Sequence, residues 1–141
     1  MKILSNIVIL TGLYLLCSSN LYAQKNDDKS KYIHPTIESD SVFQNAILSQ
    51  EYVAVDFWAI WCRPCHLFSS EYEQVAKKLH KKVAFYKLDI DKCQITANEF
   101  NAKMIPVLII FKNGKEIKRY VGLTAKERII FDIEEIIKTT K

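Results

Sequence analysis

The 141-residue chain has only three glycines and three prolines, too few for a collagen repeat or a Gly/Pro-rich low-complexity chain. Internal repeats are missing as well. So is a dense basic block: the net charge is +4, and the lysines are interspersed with acids. That leaves no electrostatic footprint for a nucleic-acid partner. A second close pair of cysteines or histidines is also lacking, so the four ligands of a structural zinc site are not supplied. His34, His66 and His80 read as surface histidines, and no metal or cofactor is expected. What remains is a half-apolar composition with room for one globular domain and its core.

The longest apolar run, Ile3 to Leu16, spans about 14 residues and is short of the ~20 that cross a membrane. With Lys2 before it and Leu21-Tyr22-Ala23 after it, it fits a secretory signal peptide over residues 1–23. Export across the inner membrane to the periplasm is the expectation. Lys2 is the only charged residue of that segment, so cleavage takes the net charge from +4 to +3. Cys17 invites a lipid tether, but Leu16 stands where a lipoprotein signal wants a small residue. Residues 24–31 read as a flexible polar leader, and residues 32–141 as the domain.

Beyond the leader, apolar spacing predicts a short helix over residues 41–49 with Asp40 as its cap. Tyr52 to Trp58 is apolar on both faces apart from Asp56, the mark of a central strand covered on each side. Phe68, Tyr72, Val75, Ala76 and Leu79 then recur at helical spacing, predicting a helix to about His80. A strand follows over residues 83–88, then a helix to about Phe100 capped by Asp91, with Gln94 three residues on. Strand 107–111, the turn signal Asn113-Gly114 and a returning strand 116–121 make a hairpin. Thr124 to Glu127 reads as a capping box for the last helix. The order requires an α/β fold, with a mixed sheet of about five strands and helices on both faces.

Past the signal segment three cysteines remain: the close pair Cys62 and Cys65, plus Cys93. An odd number at these spacings is no disulfide scaffold and points to redox or metal chemistry. Cys62-Arg63-Pro64-Cys65-His66 also satisfies the literal signature for covalent haem attachment, with His66 as one ligand and Met104 imaginable as the other. A third reading is a redox-inert peptide-binding module with a static bridge. Cys93 reads as a small helical residue without a redox role.

The run Val55-Asp56-Phe57-Trp58-Ala59-Ile60-Trp61-Cys62-Arg63-Pro64-Cys65 resembles the active-site segment of thioredoxins. Met104-Ile105-Pro106 through Gly114 resembles that family's proline-opened strand, and Val121-Gly122 its groove glycine. The resemblance implies a thioredoxin fold and thiol-disulfide exchange with protein substrates, reductive rather than oxidative, through a redox-active disulfide between Cys62 and Cys65. A periplasmic oxidant or isomerase is the alternative direction. Cys62, placed at a helix start that favours its thiolate, is the expected nucleophile, and Cys65 the resolving thiol. By the same resemblance Asp56 is the buried acid that exchanges a proton with Cys65, Lys87 is its partner, and Ile105-Pro106 is cis. Trp61, Ile105, Pro106 and Gly122 would bind substrate, with Trp58 mainly in the core. Arg63, Pro64 and His66 would tune the couple. Arg63, in place of the usual glycine, and His66, in place of the usual lysine, depart from the family pattern, and the Arg63 cation beside Cys62 would move the couple toward a better oxidant. Ser69-Ser70 stands where thioredoxins bend this helix with proline. An exported enzyme of this kind needs a membrane redox partner to recharge it.

Overall fold

The computed structural model describes residues 30–140. The expected signal segment 1–23 and most of the expected leader 24–31 lie outside the described residues. Within them the elements are α1 (Asp40–Ile47), β1 (Tyr52–Trp58), α2 (Arg63–Leu79), β2 (Ala84–Asp89), α3 (Gln94–Glu99), β3 (Val107–Lys112), β4 (Lys115–Val121) and α4 (Lys126–Thr139). The sheet order is β2-β1-β3-β4, with β1 parallel to β2 and antiparallel to β3. The fold is α/β as expected, with four strands. Where a fifth would lie, the chain makes a single parallel bridge, Ile37 to Leu88, at the free edge of β2.

Alternation along β1 divides the core. Val53, Val55 and Phe57 face one side with Phe43 and Ile47 of α1. Tyr52 and Ala54 face the other with Phe68, Tyr72 and Val75 of α2 and Ile129 and Ile133 of α4. Side chains two apart on a strand share a face, so Asp56 falls on the α2 side. Tyr72 joins the layers further. Its hydroxyl group can donate to the carbonyls of Ala54, at 3.0 Å, and Tyr86, at 2.8 Å, which ties α2 to both parallel strands. The hairpin follows its sequence signal, with Asn113 and Gly114 both at positive φ, as a tight two-residue turn requires.

Three helix starts differ from the sequence reading. Ser39, not Asp40, precedes the first turn of α1. The Asp40 carboxylate instead accepts from the Thr96 backbone N–H at 2.8 Å and from its hydroxyl at 2.6 Å, so it caps α3 from across the fold. Asp91 is displaced from that role, and α3 begins after Cys93 with no side-chain cap of its own. No capping box forms at α4 either, which starts after Ala125. Its Lys126 N–H donates to Glu71 of α2 at 3.3 Å.

The bonds from Thr96 hold the Asp40 carboxyl below its ordinary pKa. Asp40→Ala should therefore destabilise the domain by about 1–2 kcal/mol, the usual worth of a cap. A depressed carboxyl pKa contributes stability above the unfolded value, and that contribution fades as pH falls through the folded one. Urea unfolding should accordingly show the deficit at pH 7 and a smaller one near pH 3.

Candidate active site

The site is built where β1 ends and α2 begins. A parallel crossover leaves the C-terminal end of the central strand open, and the chain enters the helix there directly. Cys62 is the residue that precedes the first turn of α2, and Arg63 and Pro64 open it. Proline suits this place because its missing N–H would have no intrahelical partner. Cys62 and Cys65 are joined by a disulfide, with Cα atoms 5.3 Å apart. The Cys65 backbone N–H donates to Cys62 Sγ at 3.2 Å, so one free N–H of the helix start points at this sulfur. Cys62 keeps 4 % of its surface exposed while Cys65 keeps none.

Facing the pair, the Ile105–Pro106 peptide is cis, and the Ile105 carbonyl oxygen lies 3.8 Å from Cys62 Sγ. Pro106 accepts the Gly122 N–H at 2.8 Å. Gly122 has φ +78, and a Cβ there would meet nothing within 4 Å. Backbone conformation accounts for that glycine, and the face above it is open. Ile60, Trp61 and Met104, next to these residues in the chain, are all exposed apolar side chains.

Asp56 is fully buried, and its carboxylate oxygens have no hydrogen-bond partner among the described residues. Burial pushes its pKa up from 3.8 to about 6, against the pull of the Lys87 charge. Lys87 lies abreast of it on β2, with Nζ 3.6 Å from Oδ2. That distance is an ion pair without a hydrogen bond. The same ammonium stands 4.6 Å from the Trp58 ring centroid and donates to Ser69 Oγ at 2.9 Å.

Sequence reasoning placed Cys62, Cys65, Ile105, Pro106 and Gly122 together, and the structure does the same. Trp58, expected mainly in the core, is partly buried and packs against the core cluster of Ala59, Cys62 and Cys65, where it forms the floor of the site. The Lys87 ammonium stands over its ring. His66 is exposed, but its Nε2 is hydrogen-bonded to the Ile60 carbonyl at 2.7 Å. A haem linkage does not fit these residues: the nitrogen that would ligate iron is engaged and Cys65 is sealed under the helix. Arg63 is exposed on the first turn beside Cys62.

Three contributors escaped the sequence reading. Asp91 accepts the Trp61 indole N–H at 2.8 Å and so fixes the rim. Tyr72, placed only by its apolar spacing, supplies the strand clamp. Ser69 reaches Lys87. Each depends on a contact between elements, and only the Asp91 carboxylate in a loop near the sheet end offered any local signal.

Cys93 is buried, and its thiol donates to the Ile37 carbonyl at 3.6 Å. It precedes α3, where a helix start would favour a thiolate, yet burial wins and pushes its pKa to about 11. In the folded, reduced protein at pH 8 it should alkylate about 100-fold or more slowly than an exposed cysteine. Mass spectrometry after an iodoacetamide pulse checks this, and labelling of Cys93 at the rate of Cys62 would contradict it.

The fold and this disulfide define the class, a thiol-disulfide oxidoreductase. The thioredoxin family profile matches residues 34–135. A thioredoxin from Alicyclobacillus acidocaldarius is 35% identical over 100 residues, covering 71% of this chain and 95% of that protein. A thioredoxin from Mycobacterium tuberculosis is 34% identical over 113 residues, covering 79% and 95%. Among solved structures, the thioredoxin of Malassezia sympodialis superposes with a TM-score of 0.67 at 27% identity, covering 79% of this chain and 97% of the other. The chain belongs to the thioredoxin family.

Proposed function

We propose that the protein is an exported protein-disulfide reductase in which Cys62 attacks and Cys65 resolves. The observation that supports this most is the asymmetry of the pair. Cys62 Sγ receives the helix-start N–H and keeps some exposure, while Cys65 has neither. In the dithiol form, the Cys62 thiolate attacks one sulfur of a substrate disulfide. The substrate S–S bond breaks, a mixed disulfide forms, and the departing thiolate takes up a proton. Cys65 then gives its proton to the Asp56 carboxylate and attacks Cys62 Sγ. The second substrate thiolate leaves, the Cys62–Cys65 bridge closes, and two electrons have passed to the substrate.

The substrate segment would lie extended along Ile105, whose carbonyl already faces Cys62, with Trp61, Pro106 and Gly122 around it. The N-terminal signal segment supports export to the periplasm, and there a membrane redox partner must reduce the bridge again. Reduction of insulin disulfides in the presence of dithiothreitol tests the activity, and N-terminal sequencing of the periplasmic fraction should begin at Gln24. A redox-inert binding module would show no turnover and a very negative potential.

Arg63 on the first turn places a cation beside Cys62, which favours the thiolate and the reduced form. The couple should therefore sit above ordinary thioredoxin, between about −270 and −120 mV. Arg63→Gly should lower the potential and raise the Cys62 pKa. Equilibration against glutathione measures the first and pH-dependent alkylation the second, and an unchanged pair of values would remove Arg63 from the account.

A further inference from the structure

The Lys87 ammonium sits on a flexible four-carbon stem that loses rotamer entropy when held in one place. At 3.6 Å from Asp56 it gains no hydrogen bond from the carboxylate. Among the described residues its one hydrogen bond is to Ser69 Oγ, at 2.9 Å. Ser69 follows Cys65 by four residues on α2, so the two share a helix face one turn apart. That face covers β1, the strand that carries Asp56. One helix thus carries both the resolving sulfur and the hydroxyl that holds Lys87.

We propose that Ser69 is a positioning residue: its hydroxyl fixes the Lys87 ammonium beside Asp56 and so governs when Asp56 can take the proton of Cys65. This rests on the reading of Asp56 as that acceptor. The surroundings of Asp56 hold few other charges. From α2 come the Cys65 sulfur and the Tyr72 hydroxyl, itself kept neutral by burial and by the neighbouring Asp56 charge. Lys87 comes from β2, and β3 sets Leu108 opposite. The residues that α4 turns to this face, Ile129 and Ile133, are apolar. Among the described residues Lys87 is therefore the one cation that opposes the burial of Asp56, and the position of its ammonium decides how strongly. Without Ser69, the ammonium loses the hydrogen-bond acceptor that the described residues give it. It then relaxes toward water, which its 15% exposed side chain already reaches, and away from a carboxylate that has no water contact.

The test is a titration of Asp56, followed through its carboxyl carbon by NMR in the oxidised full-length domain. This readout needs no turnover and stands whether or not the reductase reading holds. Ser69→Ala should move the Asp56 titration upward, in the same direction as Lys87→Gln, and Ser69→Thr should return it. In a Lys87→Gln background, Ser69→Ala should add nothing. An unmoved or lowered titration in Ser69→Ala would overturn the proposal. So would an equal shift in both backgrounds, since the hydroxyl would then act on Asp56 without the lysine. In the reduced enzyme, the acid limb of the pH profile for mixed-disulfide resolution should move up by the same interval as the titration. If the titration moves and that limb does not, the positioning stands and the assignment of Asp56 as proton acceptor falls.

Discussion

Cys62→Ala is expected to lower insulin reduction by at least about 1000-fold, because the Cys65 sulfur has no exposed surface from which to begin the exchange and a missing nucleophile is not replaced by its neighbours. Cys65→Ser should behave differently. Its Cys62 still sits at the start of α2, still receives the backbone N–H of residue 65, and still attacks substrate. The second attack is gone, so mixed disulfides should accumulate at Cys62. On non-reducing gels of periplasmic extract they appear as adducts that dithiothreitol releases, and mass spectrometry of them identifies substrates and the recharging partner together. Equal trapping by Cys62→Ser, with Cys65 left free, would reverse the assigned roles.

Asp56→Asn should stabilise the domain while slowing resolution. The folded pKa of about 6 stands above the ordinary 3.8, so the folded state binds this proton more tightly than the unfolded chain does. The stability that this confers is complete below the unfolded value and is lost as pH rises through the folded one. A shift of about two units corresponds to about 3 kcal/mol lost by pH 7. Asparagine resembles the protonated acid in charge and size and cannot ionise. The variant should match the parent near pH 4 and exceed it by up to about 3 kcal/mol at pH 7 in urea unfolding. A gain independent of pH would mean that ionisation is not its source. The functional cost runs the other way: without a carboxylate to accept the Cys65 proton, mixed disulfides formed at neutral pH should decay more slowly, by about 100-fold, the low end of the range for lost general-base catalysis.

The haem reading shows how little the cysteine spacing decides alone. Cys62-Arg63-Pro64-Cys65-His66 meets the literal signature, and what removes it is spatial: the His66 nitrogen bonded to the Ile60 carbonyl and Cys65 buried beneath its own helix. Resemblance along the chain reached further. The segments around Cys62 and around Pro106 lie more than 40 residues apart, and each was legible because backbone chemistry marks it locally. Proline cannot donate to a ladder, and a helix start leaves free N–H groups for a sulfur.

By itself the sequence determined the order of elements, the hairpin at Asn113-Gly114 and the buried character of β1, and its resemblance to thioredoxins implied the pairing of Cys62 with Cys65. The first three follow from periodicities of two and 3.6 and from glycine and proline geometry, all of which act over a few residues. Only the tertiary structure decided which acids cap which helices, that Trp58 belongs to the site floor, that Asp91 holds Trp61, and that Ser69 holds Lys87. The physical reason is the same in each case. A carboxylate or hydroxyl takes the nearest unsatisfied donor in space, and packing brings that donor from another element: Asp40 reaches Thr96 across 56 residues, and Glu71 reaches Lys126 across 55.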